Sequence, residues 1–184
     1  MSGGHGHGHG DHGGSKKIAL LISMLALVLA FSETLGKSAQ TAALAYNIEA
    51  SNLWAFFQAK TIRQTVLRTA AEEVATGNMS PAAKDQVAKW KDTVQRYQSE
   101  PDTNEGRDQL VARAKAAEQK RDVSMAAYHH YEVASAAVQI AIVLASASII
   151  AEIVALAWIG GALGVLGIVF SAIGFFAPNA VHLF

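Results

Sequence analysis

The chain has 184 residues, 51% of them hydrophobic, with 15 basic and 15 acidic side chains and a formal net charge of zero. That balance is too apolar for an ordinary small soluble domain and carries no basic bias toward nucleic acid, so no nucleic-acid partner is expected. With no cysteine there is no disulfide framework, no thiolate metal site and no cysteine nucleophile, which leaves His, Asp and Glu as metal-ligating side chains.

Residues 1–17 open with a His-Gly tract, His5-Gly6-His7-Gly8-His9-Gly10-Asp11-His12. The imidazoles of His5, His7, His9 and His12 on a flexible backbone can chelate Ni, Cu or Zn, because borderline metals favour neutral imidazole. The plainer reading is a disordered terminus, or an added tag, that binds metal adventitiously. No resident cofactor is expected, and a floppy tract lacks the preorganisation catalysis needs.

Ile18 to Phe31 is an apolar run of 14 residues that reaches 19 if the helix continues to Gly36, close to the roughly 20 residues a bilayer core requires. A cleavable signal peptide with Lys16 and Lys17 as its charged region is the rival; a retained anchor over 18–36 is the preferred reading.

The middle, residues 37–132, holds 13 of the 15 Lys and Arg and 12 of the 15 Asp and Glu, the mark of a solvated surface. Leu44, Ile48, Ala55, Ala59, Ile62, Val66 and Ala70 recur at helical spacing as one stripe. Gly77-Asn78-Met79-Ser80-Pro81 then predicts a sharp stop, with Gly77 as C-terminal cap, Ser80 as N-cap and Pro81 opening the next helix. Ala83, Val87, Trp90, Val94 and Tyr97 keep the spacing up to a break at 99–104. Beyond it Leu110, Ala114, Ala117, Arg121, Ser124, Tyr128, Tyr131 and Ser135 alternate steps of four and three, a coiled-coil period that runs on without a stop signal.

At 1.5 Å per residue the arm from Lys37 to Gly77 is roughly 60 Å long, and the two pieces after the tip are roughly 28 and 42 Å. The lengths predict an ascending arm, a tip near 77–81 and a descending arm broken near 99–104. The Ala- and Ser-rich seam buries little apolar area per layer, at about 25 cal/mol per Å², so neighbouring copies are expected to support it.

Two further spans are predicted at 133–156 and 157–177, joined by a tight turn at Trp158 with Gly160 and Gly161, ahead of a short tail at 178–184. The fold class is therefore all-α: an integral membrane protein with three transmembrane helices and a long antiparallel coiled-coil hairpin between the first and second.

The segments WAFFQAKTI, Trp54 to Ile62, and QIAIVLAS, Gln139 to Ser146 after Tyr131-Glu132, resemble the bacterial membrane family called domain of unknown function 4337. The resemblance covers most of the chain after the tail. It implies an anchor, a helical insert and a terminal hairpin, and it implies no biochemical activity.

Among single residues, Glu152 is the ion-path candidate, since an acid inside a span costs about 2.5 to 3.5 kcal/mol unless it meets a partner, protein or water. The simpler alternative puts it near the hairpin turn, reaching the headgroups. Trp54 and Phe57 belong either to the seam or to a contact between copies, and Tyr128 and Tyr131 fall on the seam near the membrane interface. His129 and His130 point about 100° apart on a helix and cannot share one metal unaided. Gly160, Gly164 and Gly167 permit close helix contact, within the chain or between subunits.

No nucleophile with a base, phosphate loop or HExxH helix is present, so no enzyme is expected. The expected function is a non-enzymatic membrane scaffold that forms a homo-oligomer or docks onto a larger membrane complex. The alternative is a transport or channel-like oligomer using Glu152 and a metal-gathering tail. Lys16 and Lys17 argue for a cytoplasmic N-terminus in a bacterial inner membrane, while Lys37, Lys120 and Arg121 near the other face argue the opposite. Because the first helix often dominates, the expected orientation puts the helical hairpin in the periplasm.

Overall fold

The computed structural model describes residues 12–181. These form four α-helices and no strand: α1 His12–Ala75, α2 Pro81–Gln98, α3 Arg107–Ala151 and α4 Val154–Phe176. By length and composition α1, α3 and α4 each carry a stretch apolar enough to cross a membrane. The chain divides into two compact units, one from 1–41 with 123–184 and one from 42–122.

The first unit packs the start of α1 against the later part of α3 and all of α4. Leu25 of α1 clusters with Val138 and Ala141 of α3, with Leu21, Val28, Leu29, Ile142 and Leu163 around them. Contacts along α1 and α4 advance together, Leu25 meeting Gly164 and Ser32 meeting Ser171. Those along α3 and α4 run in opposite order, Ala141 meeting Gly160 and Ala127 meeting Gly174. Small residues line the interior: Ala134, Ala141, Ala145, Ser32, Ser148 and four glycines of α4 are buried. The outside carries Leu20, Leu27, Phe31, Val143, Ile150, Trp158, Ile168 and Phe176, all exposed.

The turn between α3 and α4 is not where the glycines predict it. The helix stops at Ala151, Glu152 takes φ 57, and α4 begins at Val154. The boundary falls at 152–153 rather than 156–157, and Trp158, Gly160 and Gly161 lie inside α4. A left-handed residue is enough to end a helix, and the glycines do a different task. A Cβ on Gly160 would stand 2.8 Å from the Ala141 carbonyl oxygen, so glycine there allows α3 and α4 to touch backbone to backbone.

The second unit packs α1 against α2 and the start of α3. Contacts along α1 and α3 run in opposite order: Tyr46 lies under Lys120, Trp54 binds Glu118 and Gln64 binds Arg107. Ser80 caps α2 as expected, its hydroxyl accepting from the Ala83 amide at 3.2 Å, with Pro81 opening the helix. Gly77 does not act as a left-handed cap, since no described glycine has positive φ. The last turn of α1 instead closes through Thr76, whose amide and hydroxyl both donate to the Glu73 carbonyl.

The stripes predicted for α2 and α3 are the buried ones, with Val87, Leu110, Ala114, Ala117 and Tyr131 inside. On α1 most of the predicted stripe lies on the other side. Leu44, Ile48, Ala55, Ile62 and Val66 face outward and Ala59 and Ala70 are half-buried, while the buried positions are Ala43, Ala50, Leu53, Lys60 and Ala71. Aliphatic character marked the wrong face because the true seam of α1 mixes alanine with aromatic and charged side chains.

Candidate functional site

Two buried polar nodes stand out, one in each unit. In the second unit the connection from α2 to α3, residues 99–106, is fixed by side chains of the helices around it. Gln109 donates to the Ser99 hydroxyl at 3.1 Å and accepts from the Glu100 amide at 3.2 Å, while Arg113 donates to the Asn104 carbonyl at 3.2 Å.

Lys60, only 5% exposed, projects from α1 into this node. Its Nζ lies 3.4 Å from Glu100 Oε2 and 4.0 Å from Glu105 Oε2, over the rings of Phe56 and Tyr97. A buried ammonium is costly unless paired, and here two carboxylates and two π faces surround it. Arg107 stacks on Phe57 with its guanidinium carbon 4.9 Å from the ring centre, and donates to Gln64 and Gln98. Gln98 in turn donates to Asp108 at 2.8 Å.

Trp54 and Phe57, predicted for the seam or a contact between copies, pack inside the chain. Both lie against Ala50, Leu53, Leu110, Ala114 and Ala117, their rings edge to face at 5.6 Å, and the Trp54 indole donates to Glu118 at 2.9 Å.

In the first unit His130 is buried, 1% exposed, along with the smaller Ser32 and Ser148. Its Nε2 lies 3.1 Å from the Pro178 carbonyl oxygen, so Nε2 carries the proton and donates. Its ring stacks over Phe170, and its Cβ occupies the space that a side chain at Gly174 would need. His129 turns instead toward Glu132, 3.7 Å away, and the Tyr128 ring. The adjacent histidines thus point to different neighbours. Tyr131 is buried, with its Cβ 3.2 Å from where a Cβ on Gly36 would lie, and burial pushes its phenol above the ordinary 10.0. Ser32 and Ser171 join hydroxyls at 2.8 Å, and Gln139 donates to Glu33 at 3.2 Å.

Of the predicted assembly glycines, Gly160 and Gly167 face α3 and Gly164 faces Leu25 of α1, all within one chain. Glu152 stands exposed in the connection between α3 and α4, not inside a helix. His5, His7 and His9 lie outside the described residues, and His12 is the first residue of α1. Among the described residues no three His, Cys, Asp or Glu side chains converge on a metal position. An apolar recess of about 280 Å³ in the first unit is lined by Lys17, Ile18, Leu21, Ala157, Trp158 and Gly161.

Lys60, Glu100 and Arg107 were not singled out from sequence, and His130 was weighed only beside His129 as a metal position. The signal for Lys60 was available: positions 43, 46, 50, 53, 57, 60, 64, 67 and 71 step by alternating three and four, and reading spacing ahead of residue type would have placed it on the seam.

Fold and packing define an all-helical protein in which three of four described helices have the length and composition of a membrane span. The chain belongs to the family described as Domain of unknown function (DUF4337), whose model matches residues 14–177. The match begins after His5, His7, His9 and His12, so the His-Gly tract stands outside it. No curated protein and no solved structure matches the chain.

Proposed function

We propose that the protein is a non-enzymatic scaffold of a bacterial inner membrane. It is anchored by three spans, carries unit 42–122 as an extramembrane coiled-coil arm, and self-assembles or docks onto a larger membrane complex. The observation that carries the membrane part is the distribution of side chains in the first unit. Glycine, alanine and serine are inside, and Leu27, Phe31, Val143, Ile168 and Phe176 are outside. In water this exterior would drive aggregation, whereas in hydrocarbon it costs nothing and packing of small residues holds the helices together.

The scaffold part is supported by what fills the interior of each unit. Lys60, Arg107 and His130 are each engaged by neighbours that hold the helices in place, which is the work of a rigid spacer. Lys16 and Lys17 before the first span favour a cytoplasmic N-terminus and a periplasmic arm. The transport reading loses its main support, because Glu152 is exposed in a connection where it can reach headgroups. Glu152→Gln is expected to leave ion flux in reconstituted vesicles unchanged.

The test is the native mass of gently solubilised protein, with co-purifying chains identified by mass spectrometry. A defined oligomer or a stoichiometric partner supports the scaffold reading, and a bare monomer refutes it.

A further inference from the structure

Within the first unit the starts of α1 and α4 lie side by side, since Leu25 meets Gly164 and Ser32 meets Ser171 at one constant offset of 139 residues. Ahead of the first of these contacts the two helices part around the apolar recess of about 280 Å³. Its walls repeat one spacing: Lys17, Ile18 and Leu21 on α1 face Ala157, Trp158 and Gly161 on α4. Each set steps i, i+1, i+4, which is a single helix face. The volume falls near the lower end of the roughly 300 to 1,000 Å³ of small-molecule sites.

Gly161 keeps this space open. A Cβ on Gly160, Gly164, Gly167 or Gly174 would come within 3.0 Å of a neighbouring helix, whereas one on Gly161 would meet nothing within 4 Å. Helix contact therefore accounts for the other four glycines of α4 and not for Gly161.

The chemistry changes from rim to interior. Lys16 and Lys17 are exposed, and neither makes an ion pair with a described residue. No charged residue occurs from Ile18 to Ser32 or from Val154 to Val181, so the two lysines dominate the charge beside the recess, with Glu152 two residues ahead of α4. A lysine stem can cover apolar wall while its ammonium stays at headgroup level. Trp158, 78% exposed, has the amphipathic ring and N–H donor suited to the membrane–water boundary. From Lys17 to Leu21 the recess runs roughly 6 Å along the helix into the apolar zone.

We propose that this recess binds one anionic phospholipid, with its phosphate at Lys17 and Lys16 and the first part of one acyl chain against Leu21, Ala157 and Gly161. The site rests on the membrane reading above and names the class of lipid bound. A zwitterionic lipid brings its own cation toward the lysines and gains less from them, whereas a net negative headgroup is attracted at each.

Trp158 is the reporter, since Trp54 and Trp90 belong to the unit that the membrane reading puts outside the bilayer. Full-length protein is reconstituted in phosphatidylcholine vesicles in which a minority of the lipid has brominated chains, as phosphatidylglycerol or as phosphatidylcholine, and is recovered by flotation. The expected result is that brominated phosphatidylglycerol quenches tryptophan emission about fivefold more effectively than brominated phosphatidylcholine. Trp158→Phe removes that component. Lys16→Gln with Lys17→Gln brings the two lipids to equality. Gly161→Leu does so with both lysines in place, because its side chain fills the recess. Circular dichroism checks that the helices are retained, and native mass spectrometry of protein released from mixed lipid counts bound phosphatidylglycerol independently of the ring. Equal quenching by both lipids in the unsubstituted protein overturns the site and leaves the membrane reading standing. A preference that survives Gly161→Leu in both readouts overturns the recess, the lipid then being gathered by surface charge alone. Protein that floats but is quenched by neither lipid overturns the site as well, since protein then covers Trp158. Protein that fails to float overturns the membrane reading itself.

Discussion

The two units of this chain solve helix packing by opposite means. In the first, α3 and α4 meet where side chains are nearly absent: Gly160, Gly167 and Gly174 lie against the backbone or Cβ atoms of α3. In the second, the interior holds Trp54, Phe57, a buried lysine and a stacked arginine. Where the surroundings are apolar, bringing oil to oil gains nothing, and van der Waals contact between small residues must hold the helices. Where they are water, burying Leu53, Leu110 and the aromatic rings supplies the drive, and polar groups such as Lys60 fix the register at a desolvation cost.

The comparison is broken most severely by filling a glycine contact. Gly160→Leu would push a side chain into the Ala141 carbonyl, which is backbone and cannot move aside. We expect a loss of about 3 kcal/mol or more, read as a lower midpoint in unfolding from mixed micelles. The neighbouring Gly161 has open space around a built Cβ, and Gly161→Leu should leave the midpoint unchanged or raise it.

In the second unit the sensitivity is to removal. Leu110 is fully buried among alanines and Leu53, and Leu110→Ala should cost about 2.5 kcal/mol, measured by denaturant unfolding of the full chain. Lys60→Ala leaves Glu100 without its closest cation, though Arg96 remains 3.5 Å away and Glu100 is partly solvated. The expected cost is about 2 kcal/mol, below that of a fully enclosed pair. Hydrogen exchange should show it as faster opening of the 99–106 connection.

The smallest change has the opposite sign. Glu152 holds φ 57, a region that favours glycine, so Glu152→Gly should raise stability by about 0.5 to 1 kcal/mol in the same micelle assay.

Much of this architecture was legible in the sequence, and the exceptions share a cause. Ser80-Pro81 marked a helix start because capping chemistry is local, and the steps of four and three from Leu110 to Ser135 marked the seam of α3 because that seam is made of typical residues. On α1 the aliphatic side chains occupy the outward face, and the inward one carries Tyr46, Phe57, Lys60 and Gln64, so a rule based on hydrophobic identity selects the wrong side. Gly160-Gly161 suggested a turn because glycine serves both turns and close packing, and only the position of Ala141 decides between them. The sequence drew notice to His130 beside His129 but not to its partner, the backbone carbonyl of Pro178, 48 residues away.

The central claim is that the exposed apolar exterior of the first unit faces lipid. Nitroxide labels on single cysteines at Leu27, Val143, Ile168 and Lys91 in reconstituted vesicles test it through their accessibility to oxygen and to a water-soluble nickel complex, with the complex present on both sides. The account predicts that labels at 27, 143 and 168 collide with oxygen and are shielded from nickel, while the label at 91 shows the reverse. Equal access of the nickel complex to all four positions would contradict it.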